Sequence, residues 1–166
     1  MDKSRNIIRN KTRLVAQSYT QVEGINIEET LAPVARLEAM QMTLAFASFK
    51  DFKLFQMDVK NAFLNGFIEE EAYVKQTPSF GFKLDKGLYG LKQAPIAWYG
   101  ILSCFLIENG FIKGKVDTIL FTKHVDNILL VQIYVDDIIF GSTNEKFCKD
   151  FESCIEKFRN EYDGRA

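Results

Sequence analysis

Histidine and tryptophan each occur once in the 166 residues, and proline and cysteine three times each. One histidine, His124, and three cysteines without zinc-like spacing (Cys104, Cys148, Cys154) exclude a Cys/His metal site. They equally exclude a disulfide framework and point to a reducing compartment. Three prolines, at positions 33, 78 and 95, leave no Pro-rich linker. Excess charge is also missing: 21 Lys and Arg stand against 22 Asp and Glu, a net −1, so any polyanion would have to be met by a local patch. No apolar run is long enough to span a bilayer, since Ile119 to Phe140 is broken by Lys123, Asp126, Asp136 and Asp137. The charged start Met-Asp-Lys-Ser-Arg leads into no apolar secretory segment. What remains is 47% hydrophobic residues with 15 phenylalanines, the composition of one globular domain with a core of large side chains.

Along the chain the periodicities predict an α+β fold. Arg13 to Gln17 reads as a short strand. A helix is expected from Pro33 to Phe49, with proline in its first turn and Leu37, Met40, Leu44 and Ala47 on its inner face. Lys53 to Val59 alternates as a strand ending at Asp58. Further strands are expected at Ala72–Gln76 and at Phe82–Tyr89, the latter interrupted by Gly87, and Glu69-Glu-Glu before the first of them reads as a solvated loop. Pro95–Asn109 reads as a second helix, with Trp98, Ile101 or Leu102, Phe105 and Leu106 inward and Gly110 as its stop. Strands at Ile119–Lys123, Ile128–Val135 and Ile138–Phe140 follow. Ser142-x-x-Glu145 suggests a capping box before a last helix, from about Asn144 to Arg159. The expected architecture is a mainly antiparallel sheet with helices packed on one face.

The chemistry-bearing anomaly is Tyr134-Val-Asp-Asp. Asp136 and Asp137 sit between two fragments that favour burial, where an unpaired ionised carboxylate costs several kcal/mol. A tight turn facing water answers this; so does a functional role. Asp58 also ends an apolar strand. If that strand lies beside the Tyr134 hairpin, three carboxylates converge at one sheet edge, a hard-oxygen set suited to Mg²⁺ or Mn²⁺. Two such ions about 3.5–4 Å apart clamp both oxygens of an in-line phosphoryl displacement. The first thirteen residues hold Lys3, Arg5, Arg9, Lys11 and Arg13 against Asp2, a patch that reads as a solvated terminus or as a polyanion contact.

Tyr134-Val-Asp-Asp, Gln56-Met-Asp-Val-Lys-Asn-Ala-Phe-Leu, Leu88-Tyr-Gly-Leu-Lys-Gln-Ala-Pro with Ala97-Trp-Tyr, Lys11-x-Arg-Leu-Val-Ala-Gln, Glu29-Thr-Leu-Ala-Pro-Val-Ala-Arg and Lys115-Val-Asp-Thr together resemble the reverse transcriptase domain of copia-type long-terminal-repeat retrotransposons. The similarity runs from about residue 8 to 151, with 152–166 a degenerate tail, so 1–166 reads as a single partial domain, a truncated copy. The resemblance implies the fingers and palm of a right-hand polymerase, thumb absent, catalysing RNA- and DNA-templated DNA synthesis. It implies Asp58, Asp136 and Asp137 as catalytic and metal-binding residues, with the Val59 carbonyl as an extra ligand for Mg²⁺ or Mn²⁺. Phe63 matches the aromatic position under the nucleotide sugar, Tyr89, Gly90 and Lys92 a loop beside nucleotide and template, and Lys11 and Arg13 the basic fingers strand. Partners so implied are an RNA or DNA template-primer, dNTP, and the ribonuclease H and integrase regions of an intact Pol polyprotein. The implied location is a cytoplasmic virus-like particle or the nucleus, with no membrane involved.

Three positions depart from the family pattern: Ser18 replaces a usual glycine, Gly87 a usual alanine and Ile96 a usual arginine. The loop after Pro78 is short. Trp98 and Tyr99 read as core residues and His124 as a turn residue without a role. Two other functions stay open: a phosphodiester-cleaving enzyme using the same carboxylates, and a non-catalytic remnant binding nucleic acid or protein.

Overall fold

The computed structural model describes Val15, Pro33 and residues 36–75, 81–124 and 128–163, with the side chains of 67–75, 81–86, 162 and 163 left aside. The expected strand around Arg13 lies outside these residues except for Val15, which bridges in parallel to Tyr89.

Five strands form one antiparallel sheet: β1 (Leu54–Asp58), β4 (Ile112–Lys113), β5 (Leu120–His124), β6 (Ile128–Tyr134) and β7 (Asp137–Ser142), in the order β1-β7-β6-β5-β4. A separate hairpin joins β2 (Phe67–Lys75) to β3 (Gly81–Lys86). The three helices are α1 (Leu37–Phe49), α2 (Ala94–Glu108) and α3 (Glu145–Asp163). The α+β expectation is met. No helix among the described residues is long and apolar enough to cross a membrane.

The period-2 alternation of β6 divides the two sheet faces. Leu129, Val131 and Ile133 join Phe121, Ile138 and Phe140 in the core against Trp98, Leu102 and Leu106 of α2 and Phe151, Ile155 and Phe158 of α3. Phe151 packs its ring at a tilt against those of Phe111 and Phe140, and Phe158 meets Phe105 and Trp98. A short strand, β4, escaped the sequence reading because two residues carry no periodicity.

Helices on one face only is corrected. Ala39, Met42, Thr43 and Phe46 of α1 border a cleft of about 860 Å³ whose floor is Leu120, Thr122, Ile128 and Leu130, the side chains opposite α2 and α3. The inner stripe of α1 is corrected too: Leu37 is 66% and Leu44 59% exposed, while Thr43 and Ala47 are buried. Apolar residues surround this helix on every side, so spacing could not choose a face. It begins at Leu37 rather than in the turn after Pro33.

Glu69 to Glu71 belong to β2, not to a loop. The capping box is replaced by a two-step cap. Asn144 Oδ1 accepts the Lys146 N–H (3.0 Å), and Ser142 Oγ accepts the Asn144 N–H (3.2 Å). Asn144 therefore caps α3, which runs four residues past Arg159 to Asp163. Gly110 stops α2 as expected, at φ 81°, a left-handed conformation a side chain would resist.

Candidate active site

The order β1-β7-β6 brings Asp58 beside the Tyr134 hairpin. In register, Asp58 faces Asp137 and Tyr134 faces Asp137. Cα atoms so paired lie about 4.5–5.5 Å apart. Met57 and Ile138, the preceding and following residues, point into the core, so Asp58 and Asp137 share the opposite face. Asp58 is exposed and Asp136 and Asp137 half-buried, so each carboxylate reaches water and none carries the cost of full burial.

The turn lies one residue earlier than expected, at Val135-Asp136, with Asp137 already in β7. Val135 has φ 56°, a left-handed conformation that is an outlier for a β-branched residue and costs about 1–3 kcal/mol. Two hydrogen bonds brace the turn. The Trp98 indole Nε1–H donates to the Val135 carbonyl at 2.9 Å, and the Val59 N–H donates to the Asp136 carbonyl at 2.9 Å. Trp98 is a core residue as expected, but its bond to the turn spans 37 positions and left no sequence signal. Tyr99 donates its hydroxyl to the Thr118 carbonyl and lies under Lys113 Nζ, a structural setting.

After Asp58 the chain turns sharply. Val59 is buried and its carbonyl accepts the Ala62 N–H (3.3 Å); Asn61 adopts φ 60°; and Ala62–Asn65 form one 3₁₀ turn. Phe63, buried within that turn, packs its ring 4.8 Å from Tyr89. Two candidate nucleotide contacts far apart in sequence are therefore neighbours. Gly90, beside Tyr89, has φ 92°, and Lys92 is exposed on the same loop. Lys11 and Arg13 lie outside the described residues.

The expected convergence of three carboxylates into one pocket needs correction. Among the described residues no three acidic, imidazole or thiol groups stand close enough together to hold one metal ion. Asp136 sits in the turn itself while Asp137 and Asp58 face each other across the strands, so the backbone adjoins the acids without closing their side chains into a cage. The donor chemistry fits a hard divalent cation nevertheless. Mg²⁺ keeps its waters and is commonly held by one or two carboxylates together with substrate phosphates, not by an all-protein cage.

Comparison with known proteins supplies the family. The family described as reverse transcriptase (RNA-dependent DNA polymerase) matches residues 1–164. The chain is 39% identical over 150 residues, 85% of its length, to the retrovirus-related Pol polyprotein from transposon RE2 of Arabidopsis thaliana, and covers 10% of that protein. It is 35% identical over 143 residues to the corresponding polyprotein from transposon TNT 1-94 of Nicotiana tabacum, matching 80% of this chain and 11% of the relative. Against the transposon Ty1-DR4 Gag-Pol polyprotein of Saccharomyces cerevisiae identity is 30% over 131 residues, 75% of this chain and 8% of the relative. The chain thus spans about a tenth of the length of these relatives. No solved structure matches it. By the family match and these relatives, the chain belongs to the reverse transcriptase family, as a domain of the copia-type retrotransposon Pol polyproteins.

Proposed function

We propose that the chain is the fingers and palm of an RNA-directed DNA polymerase, joining a dNTP to a primer 3′-hydroxyl on an RNA or DNA template. The observation that carries this reading is the register pairing of Asp58 with Asp137 beside a braced Val135-Asp136 turn, within a chain of this family.

In this reading Asp58 and Asp136 hold divalent cations, Mg²⁺ or Mn²⁺, with Asp137 beside them and the Val59 carbonyl offering its second lone pair. When bound, these ions stabilise the charge on the attacking and leaving oxygens. The chain's own residues orient the reactants. Phe63, held rigid against Tyr89, sits under the sugar and excludes a 2′-hydroxyl by bulk, favouring dNTP over rNTP. Gly90 lets the loop backbone approach the nucleotide. Lys92, with Lys11 and Arg13, supplies positive charge where phosphate charge develops. The remaining Pol regions, ribonuclease H and integrase, are its partners in an intact element.

Primer extension with added Mg²⁺ or Mn²⁺ tests the reading. The expected result is weak incorporation by the unsubstituted chain, impaired as a partial domain, and abolished by Asp58→Asn or Asp136→Asn with the thermal transition unchanged. Incorporation that survives either substitution overturns the site. Cleavage of the template-primer without dNTP would instead favour the nuclease alternative.

A further inference from the structure

Both carbonyls that flank the Asp136 Cα are held from different directions. That of Val135 accepts the Trp98 indole N–H, and that of Asp136 itself accepts the Val59 N–H, each at 2.9 Å. Trp98 has little freedom to move away. It is 1% exposed, its ring abuts Phe158 at 6.1 Å, and its backbone N lies 3.0 Å from where a Cβ on Gly66 would sit. The residue it grips is the strained one: Val135 at φ 56° is the turn position most ready to relax. Rotation about the Val135 Cα–C bond would turn that carbonyl and swing the Asp136 Cα and its carboxylate with it, and the indole opposes that rotation.

We propose that Trp98 is a positioning residue for Asp136, its indole N–H acting through the Val135 carbonyl to fix the direction in which the turn presents that carboxylate to a divalent cation. The proposal rests on the metal-binding reading above, but the hydrogen bond itself can be measured apart from any activity. Because Trp98 is the sole tryptophan, its indole gives the one such signal in a ¹H–¹⁵N spectrum.

The test compares the full chain with Trp98→3-benzothienylalanine, which replaces the N–H by sulfur at nearly constant shape, and with Trp98→Phe. Mn²⁺ alone is titrated and read by water-proton relaxation, with Asp136→Asn defining binding elsewhere on the surface. The expected results are an indole proton protected from exchange in the unsubstituted chain, and shifted Asp136 and Asp137 amide signals in the folded variants. Site-specific Mn²⁺ affinity should fall about three- to tenfold, the worth of one hydrogen bond. A merely structural role would lower the melting temperature without moving Mn²⁺ affinity in the folded chain. An indole proton exchanging as fast as free tryptophan overturns the proposal without any variant. Unchanged turn signals and equal Mn²⁺ affinity in a folded variant overturn it alone. Absence of site-specific Mn²⁺ uptake by the unsubstituted chain overturns the metal-binding reading and this proposal with it.

Discussion

Gln132 stands at the middle of the central strand, 1% exposed, paired with Ile139 on one side and Leu120 on the other. Neither its amide nitrogen nor its amide oxygen has a hydrogen-bond partner. Each such buried group forfeits its hydration, a cost of about 1–3 kcal/mol. Replacing Gln132 by Met keeps an unbranched side chain of similar length and removes both orphaned atoms. Counting one group in full and allowing the second to be partly offset by relaxation, Gln132→Met should stabilise the fold by about 1–3 kcal/mol. For a chain of this size that raises the melting temperature by about 2–12 °C. Urea unfolding should show a higher midpoint with an unchanged slope, since the surface exposed on unfolding is nearly the same. Ser142→Ala provides the opposite sign. Ser142 is also buried, but its hydroxyl accepts the Asn144 N–H, so its loss should cost about 0.5–2 kcal/mol. A lower midpoint for Gln132→Met would refute the reasoning, because the amide would then have to be satisfied in solution.

Two further perturbations probe packing and ionisation. A Cβ on Gly87 would lie 2.3 Å from the Phe63 carbonyl oxygen and 3.2 Å from the Ala94 Cβ, so Gly87→Ala must push the Phe63 turn off α2. It should destabilise by about 1–3 kcal/mol, read as a lower melting temperature. Burial pushes the Cys148 thiol above its ordinary 9.0 and Glu145 adds to this, while a hydrogen bond with the Ser142 backbone lowers it. The unfolded chain then releases the proton first, so this contribution to stability is whole below 9.0 and is lost as pH rises beyond it. Unfolding midpoints above that pH should fall less in Cys148→Ala than in the unsubstituted chain. Exposed Cys104 should meanwhile take up a thiol reagent in the folded state, with Cys148 reacting only on unfolding.

How much was legible in the sequence differed with the physical origin of each feature. Strands β5, β6 and β7 announced themselves as apolar runs bounded by polar turns, and helix α2 by Pro95 at its start and Gly110 at its stop, although apolar residues surround it. Helix α1 carried apolar residues all round, and its orientation was set by where the sheet left a cleft; no period in Leu37–Phe49 records that. The adjacency of Asp58 and Asp137 was foreseen as a condition on strand order, which local patterning does not determine. The register of β1 with β7 meets that condition. What no pattern held was the geometry of the turn. Asp-Asp suggested a two-residue turn at positions 136 and 137, yet the chain bends at Val135, a residue that disfavours φ 56°. A bend placed against local preference must be supported from outside. Its supports, the Val59 N–H and the Trp98 indole, come from the residue just after β1 and from α2, both fixed by the core and not by the hairpin. The hydrophobic packing that joins α2 to the sheet therefore also sets where the candidate metal-binding acid points. A substitution that loosens Trp98 should accordingly disturb the site before it unfolds the domain.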